Sequence, residues 1–236
     1  MTSEFVDYAA PLLWRGLLFT LLVTVLGTIL AVFTAFVAGL GRLSDHRLVR
    51  WLSIGFIELF RGSSLIVQLF FIYFALPAFG VQLAPLLAGV LALGLNEGAY
   101  AAEIVRGAII GRTAGQNEAG IALNMGKSLR MRRVLIPQSI PAMLPPFGNV
   151  MVDLCKNSSL VSFVGVSELT FRGGFVRNEM GHTPTVYLIL LVLYFALSQL
   201  IALFSKWLEH RFAIDRSSRS MWRSTQRRGR VGVGRS

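Results

Sequence analysis

The chain has 236 residues, of which 54% are hydrophobic and only 15% charged, with a mean hydropathy of +0.61. That excludes an ordinary soluble domain, where about a quarter of residues are charged, and leaves lipid as the sink for the apolar surface. The net charge of +11 is gathered in short segments between apolar stretches and in the tail, a distribution that excludes a basic nucleic-acid-binding face and suits anionic lipid headgroups.

A bilayer core of about 30 Å needs about 20 apolar residues as helix, and five segments qualify. The first, residues 12–40, lies largely on an uncharged run from Gly16 to Gly41 behind an acidic front end (Glu4, Asp7). That run is longer than the apolar core of a signal peptide, so a retained span is expected. The second span, 51–76, is ended by Pro77 and carries Glu58 and Arg61. The third, 85–110, holds Asn96 and Glu97 at mid-span with no basic residue within four positions, then Glu103 and Arg106. Residues 117–130 follow as a short amphipathic helix. Asn117 suits its N-cap, Glu118 its positive end, and Ile121, Met125 and Leu129 form one apolar stripe. The fourth span, 141–163, contains Asp153, Cys155 and Lys156, and the fifth is 184–204. The tail from 211 to 236 is rich in Arg, Ser and Gly; disorder with loose attraction to lipid is expected, with regulation as the competing role. The pattern predicts an all-α membrane protein with five transmembrane helices.

Charge bias orients it. The segments after the first span, between the third and fourth, and from Lys206 onward carry net charges of +2, +5 and +7. On the other side, 79–83 is uncharged and 168–182 balances Arg172 and Arg177 against Glu168 and Glu179. Basic segments mark the cytoplasm, so the N-terminus is expected outside and the C-terminus inside.

Ionisable groups in lipid cost roughly 2.5–3.5 kcal/mol each by insertion scales and need partners or water. Three acid–base pairs stand at i, i+3, a spacing that shares a helix face: Glu58–Arg61, Glu103–Arg106 and Asp153–Lys156. The first two are expected as structural ion pairs near helix ends. Asn96, Glu97, Asp153 and Lys156 lie deeper and are candidates for a water-filled translocation path, with buried pairing between helices as the competitor. The single cysteine, Cys155, forms no internal disulfide and is expected to be an inert packed thiol. His46, His182 and His210 all fall outside the expected spans, so neither a catalytic constellation nor a metal site is expected at depth.

Glu118-Ala119, followed nineteen residues after Glu118 by Pro137-Gln138 with Val134-Leu135-Ile136 before it, resembles the EAA loop of binding-protein-dependent ABC importer permeases. Glu58-Leu59-Phe60-Arg61-Gly62-Ser63 with Gln68, and Tyr100-Ala101-Ala102-Glu103-Ile104-Val105-Arg106-Gly107, are similar to the polar-amino-acid branch, with the ectoine type alongside it. So are Lys156-Asn157-Ser158-Ser159-Leu160 and Gly165-Val166-Ser167-Glu168-Leu169. The resemblance implies a type I importer permease in the bacterial inner membrane. Residues 117–130 would be the coupling helix that docks into an ATPase subunit, with Glu118, Ala119, Gly120, Asn124, Gly126 and Lys127 as coupling residues. It also implies the partners: an ABC ATPase dimer holding ATP and magnesium, a second permease, identical or paralogous, and an extracytoplasmic solute-binding protein. The chain itself would bind no cofactor. Two positions depart from the family pattern: Gly120 stands where alanine is usual, and Asn124 where glycine is usual. Asparagine tolerates left-handed backbone, so a turn there is still expected. Gly126-Lys127-Ser128 imitates the end of a phosphate-binding loop, but Ile121 occupies the place of its first glycine and no strand precedes it. The rival to an importer is a proton-coupled secondary transporter using Glu97 and Asp153; such folds usually show repeated halves, which this chain lacks.

Overall fold

The computed structural model describes residues 2–111 and 113–212, so most of the tail expected from 211 onward lies outside the described residues. Those residues form nine α-helices with π and 3-10 turns between some of them, and no strand is found among them. They are α1 (Thr2–Arg42), α2 (Arg47–Gly62), α3 (Leu65–Phe70), α4 (Pro85–Ile110), α5 (Thr113–Ala122), α6 (Lys127–Arg130), α7 (Ile136–Asn157), α8 (Leu169–Met180) and α9 (Thr183–Phe212).

Residues 7–42 of α1 and all of α9 are each long and apolar enough to cross a membrane. The second expected span is not one straight helix. α2 and the segment 65–79 meet at 106°, and only as a bent pair do they have the length and apolarity to cross. Ser63 and Ser64 adopt extended backbone, at ψ 157° and 131°, and end one helix before the next begins. The other two expected spans are α4, diluted by Asn96, Glu97 and Glu103, and α7, which contains Pro137, Pro141, Pro145 and Pro146. Neither qualifies by length and apolarity alone.

α1 and α4 lie against each other through small residues. Ala31, Ala35 and Ala38 of α1 are buried against the face of α4 that carries Gly94, Gly98 and Ala102. A Cβ at Gly94 would stand 2.7 Å from Leu30, and one at Gly39 would stand 2.7 Å from the Ala102 carbonyl oxygen. Such spacing of small residues lets helix backbones approach where lipid supplies no hydrophobic drive. The 168–182 segment, expected as an outer loop, is instead α8, with Leu169, Gly173 and Val176 buried against α1 and α9. Cys155 is buried in α7.

Candidate functional site

The face of α4 bearing Glu97, Tyr100 and Ile104 meets the face of α7 bearing Pro146, Asn149, Asp153, Lys156 and Asn157. These spacings of three and four residues put the groups of each set one above another on their helix. With Ser63 and Ser64 of the α2–α3 break, the two faces line an open cavity of about 850 Å³. All four deep polar residues singled out by sequence line it: Asn96, Glu97, Asp153 and Lys156.

Their environments differ. Asn96 is 5% exposed, and its Nδ2 donates to the Phe60 carbonyl at 2.8 Å and to Gln68 Oε1 at 3.1 Å. Gln68 Nε2 donates to the same carbonyl at 2.8 Å. Phe60 lies in the last turn of α2, whose carbonyls lose their helical partners at the break. Asn96 is therefore engaged in closing that helix end as much as in lining the cavity. Glu97 is 6% exposed and accepts from Asn157 Nδ2 at 3.0 Å. Asp153 and Lys156 stand 3.7 Å apart with their side chains 59% and 58% exposed, so the pair is loose. A buried carboxyl group and an open ion pair thus share one cavity.

Below, a smaller cavity of about 450 Å³ is lined by Glu103, Gly107 and Ala142 and shares Ile104 and Pro146 with the first. Glu103 accepts from Arg106 Nε at 2.9 Å and forms a second ion pair with Arg42. The pair expected from spacing is thus half of a triad, because spacing within one helix carries no information about α1. The other expected pair is not formed. Glu58 is exposed, while the Arg61 guanidinium lies over the Tyr100 ring, 5.2 Å from its centroid. An aromatic face on α4 offers that cation a partner better placed than an exposed carboxylate on its own helix.

The segment 117–130, expected as a coupling helix, also departs from expectation. α5 begins at Thr113, so Asn117 is inside the helix instead of capping it, and Glu118 lies beyond its first turn. The helix stops at Ala122 and does not continue to residue 130. Asn124 takes left-handed backbone at φ 54°; its N–H donates to the Ile121 carbonyl, and the Met125 N–H donates to the Gly120 carbonyl. Those two bonds around a left-handed residue make a Schellman ending, in which asparagine stands in for glycine. The apolar stripe is split as a result, because Ile121 and Leu129 belong to different helices. Ile121 and Leu123 are left 57% and 76% exposed, beside exposed Glu118 and Ala119. Beyond Gly126, which precedes α6, Lys127 forms an ion pair with Asp45 in the α1–α2 connection. The hydrogen bond and charge of Lys127 hold the Asp45 carboxyl below the ordinary carboxylate range, so this contact is lost only in acid, as pH falls through the lowered value.

Gly120 is buried beneath Arg130. A Cβ there would stand 2.5 Å from Arg130 Cδ, and Arg130 donates to the Met125 carbonyl at 3.3 Å. Gly120→Ala restores the residue usual at this place and gains up to about 1 kcal/mol of helix propensity. It displaces a flexible stem whose hydrogen bond contributes about 1 kcal/mol. The two nearly cancel, so the thermal midpoint of the purified protein is expected to move by less than about 4 °C. A larger fall would mean that Arg130 cannot give way.

Sequence reasoning missed three groups. Asn149 and Asn157 lie four residues either side of Asp153, a periodicity that was available to find them. Arg42 and the buried cluster around Glu168 depend on contacts between distant helices, which neither a count of loop charges nor the motif at 165–169 reveals. Glu168 is fully buried at the start of α8, where it accepts from the backbone N–H groups of Thr170 and Phe171, each at 2.8 Å. It also accepts from the Tyr194 hydroxyl at 2.5 Å.

The family model described as the binding-protein-dependent transport system inner membrane component matches residues 25–214. The probable amino-acid ABC transporter permease protein y4tF of Sinorhizobium fredii (strain NBRC 101917 / NGR234) is 40% identical over 233 residues, 96% of this chain and 94% of that protein. The glutamine transport system permease protein GlnP of Escherichia coli (strain K12) is 35% identical over 208 residues, 87% of this chain and 95% of that protein. Among solved structures, the crystal structure of an amino acid ABC transporter with histidines contains a chain that superposes with a TM-score of 0.82 at 34% identity. That match covers 88% of this chain and 97% of the other. The sequence and the fold agree: the chain belongs to the binding-protein-dependent transport system inner membrane components and is an ABC transporter permease of the inner membrane.

Proposed function

We propose that this chain is the membrane-spanning subunit of an ATP-driven importer of polar amino acids or related small zwitterionic solutes, ectoine among the candidates. The observation that carries the reading is the cavity between α4 and α7, which presents Glu97, Asp153 and Lys156 together. A zwitterion needs both charge signs matched once it leaves water, and this chamber has both. The relatives named as amino-acid and glutamine permeases support the same class of solute. Two copies, or this chain and a paralogue, would flank the pathway above an ABC ATPase dimer. A solute-binding protein would deliver the ligand from outside the inner membrane. Charge bias supports an N-terminus outside and a C-terminus in the cytoplasm, an orientation in which α5 with its exposed Ile121 and Leu123 would face the ATPase. ATP and magnesium belong to that partner. ATP binding closes the ATPase dimer, α5 moves with it, and the push reaches α7 through α6 and the turn at Met131–Leu135.

The test is to recover the tagged chain from membranes with its co-purifying proteins, reconstitute the complex in liposomes, and measure uptake of labelled amino acids. Uptake that requires ATP and a co-purified ABC ATPase is the expected result. Uptake by the chain alone, driven by a proton gradient, would overturn the proposal.

A further inference from the structure

The three charged groups that line the upper cavity do not balance. Two carboxylates, Glu97 and Asp153, face one ammonium, Lys156. Asp153 and Lys156 satisfy each other only loosely, at 3.7 Å and largely exposed. They form a matched pair of sites for the ammonium and carboxylate that every α-amino acid carries. Glu97 is what remains. It is 6% exposed, one carboxylate oxygen accepts from Asn157, and no lysine, arginine or histidine pairs with it among the described residues. An isolated carboxylate removed from water is costly until a cation meets it.

The lining also discriminates between solutes. A neutral amide side chain gains by meeting free hydrogen-bond donors, yet two of the three lining asparagines already donate elsewhere. Asn96 uses both N–H bonds of its amide on Phe60 and Gln68, and Asn157 uses one of its two on Glu97 itself. An acidic side chain would bring a third carboxylate to a chamber that already sets two against one ammonium, and like charges at close quarters repel. A basic side chain alone supplies what Glu97 lacks.

We propose that this cavity selects amino acids whose side chain is positively charged, with Glu97 as the group that receives that charge. The inference rests on the cavity being the solute path. The complex of this chain with its ATPase is purified without the solute-binding protein, so that the permease's own preference is read. Binding of labelled arginine, lysine, glutamine and glutamate is then measured. Arginine and lysine are expected to bind at least about tenfold more tightly than glutamine, and glutamate more weakly than glutamine. Glu97→Gln is expected to weaken arginine binding by about tenfold or more and so to narrow the arginine-to-glutamine ratio, while Glu97→Asp retains a preference for arginine. The wild-type ranking needs no variant, so the test stands even where Glu97→Gln fails to fold. Equal binding of glutamine and arginine, an unchanged ratio in folded Glu97→Gln, or no binding of any of the four would overturn the proposal. Failure of the importer reading would look different: no amino acid would be taken up in an ATP-dependent manner even with the binding protein supplied.

Discussion

Glu168→Ala is expected to lower the thermal midpoint of the purified protein by about 6–12 °C. The carboxylate accepts two of the free N–H groups of the first turn of α8, those of Thr170 and Phe171, and the hydroxyl of Tyr194 on α9. The Thr20 hydroxyl of α1 stands 3.5 Å away and itself accepts from the Leu169 N–H. One side chain therefore fastens three helices at a point with no exposure to solvent. Alanine removes an N-cap, worth about 1 kcal/mol, and leaves buried donors without acceptors at about 1–3 kcal/mol each. A total of about 3 kcal/mol, at about 2–4 °C per kcal/mol for a chain of this size, gives the stated shift. Glu168→Gln keeps one carbonyl oxygen and turns an NH₂ towards existing donors, so it should fall between wild type and alanine. Thermal aggregation in detergent, followed by size exclusion, measures all three. A shift below about 2 °C for Glu168→Ala would show that the cluster does not hold the helices together.

Glu118→Lys is expected to reduce uptake to background and abolish stimulation of the ATPase by the binding protein, with little change in stability. Glu118 is exposed on α5, so its replacement is a surface change worth within about 0.5 kcal/mol. It is the one acidic residue between Arg106 and Lys156 apart from Asp153. Reversing it removes the local negative site next to the apolar Ile121 and Leu123 that the proposed partner would cover. Charge reversal at a docking surface costs affinity through repulsion as well as through the lost attraction. Membrane insertion, elution profile and midpoint serve as controls. Normal uptake by a stably inserted Glu118→Lys protein would remove α5 from the contact with the ATPase.

Much of the architecture was legible in the chain because it is written in local patterns. Pro85 opens α4 and Gly111 follows its last residue, and the apolar run between them has the length of a span. Asn96, Glu97, Asp153 and Lys156 stood out because polar groups inside such runs are expensive, and the structure gathers all four in one cavity. The i, i+3 rule proved to be only a permission. Asp153–Lys156 and Glu103–Arg106 form, but Glu58 and Arg61 part because Tyr100, thirty-nine residues from Arg61 in sequence, competes for the guanidinium. Hydropathy averages over a window and hid the break at Ser63–Ser64, since two serines barely dilute the apolar residues around them. The extent of the helix expected over 117–130 was misjudged for the opposite reason. The left-handed turn at Asn124 was expected, but not that it would divide the stripe at Ile121, Met125 and Leu129 between two helices.

The break between α2 and α3 also decides which flank of the protein lipid can touch. At Ser63 and Ser64 the backbone leaves helical geometry, and the carbonyls there rely on Gln68 and Asn96 for only part of their hydrogen bonding. Acyl chains can satisfy none of the remainder, so irregular backbone at membrane depth persists only against water or other protein. The flank that opens onto the cavity must accordingly be turned away from the bilayer, whereas the apolar outer faces of α1 and α9 need no such shelter. A hydrocarbon-soluble photolabel should mark Ile29, Phe33 and Leu191 and leave the residues around Ser63 unmarked.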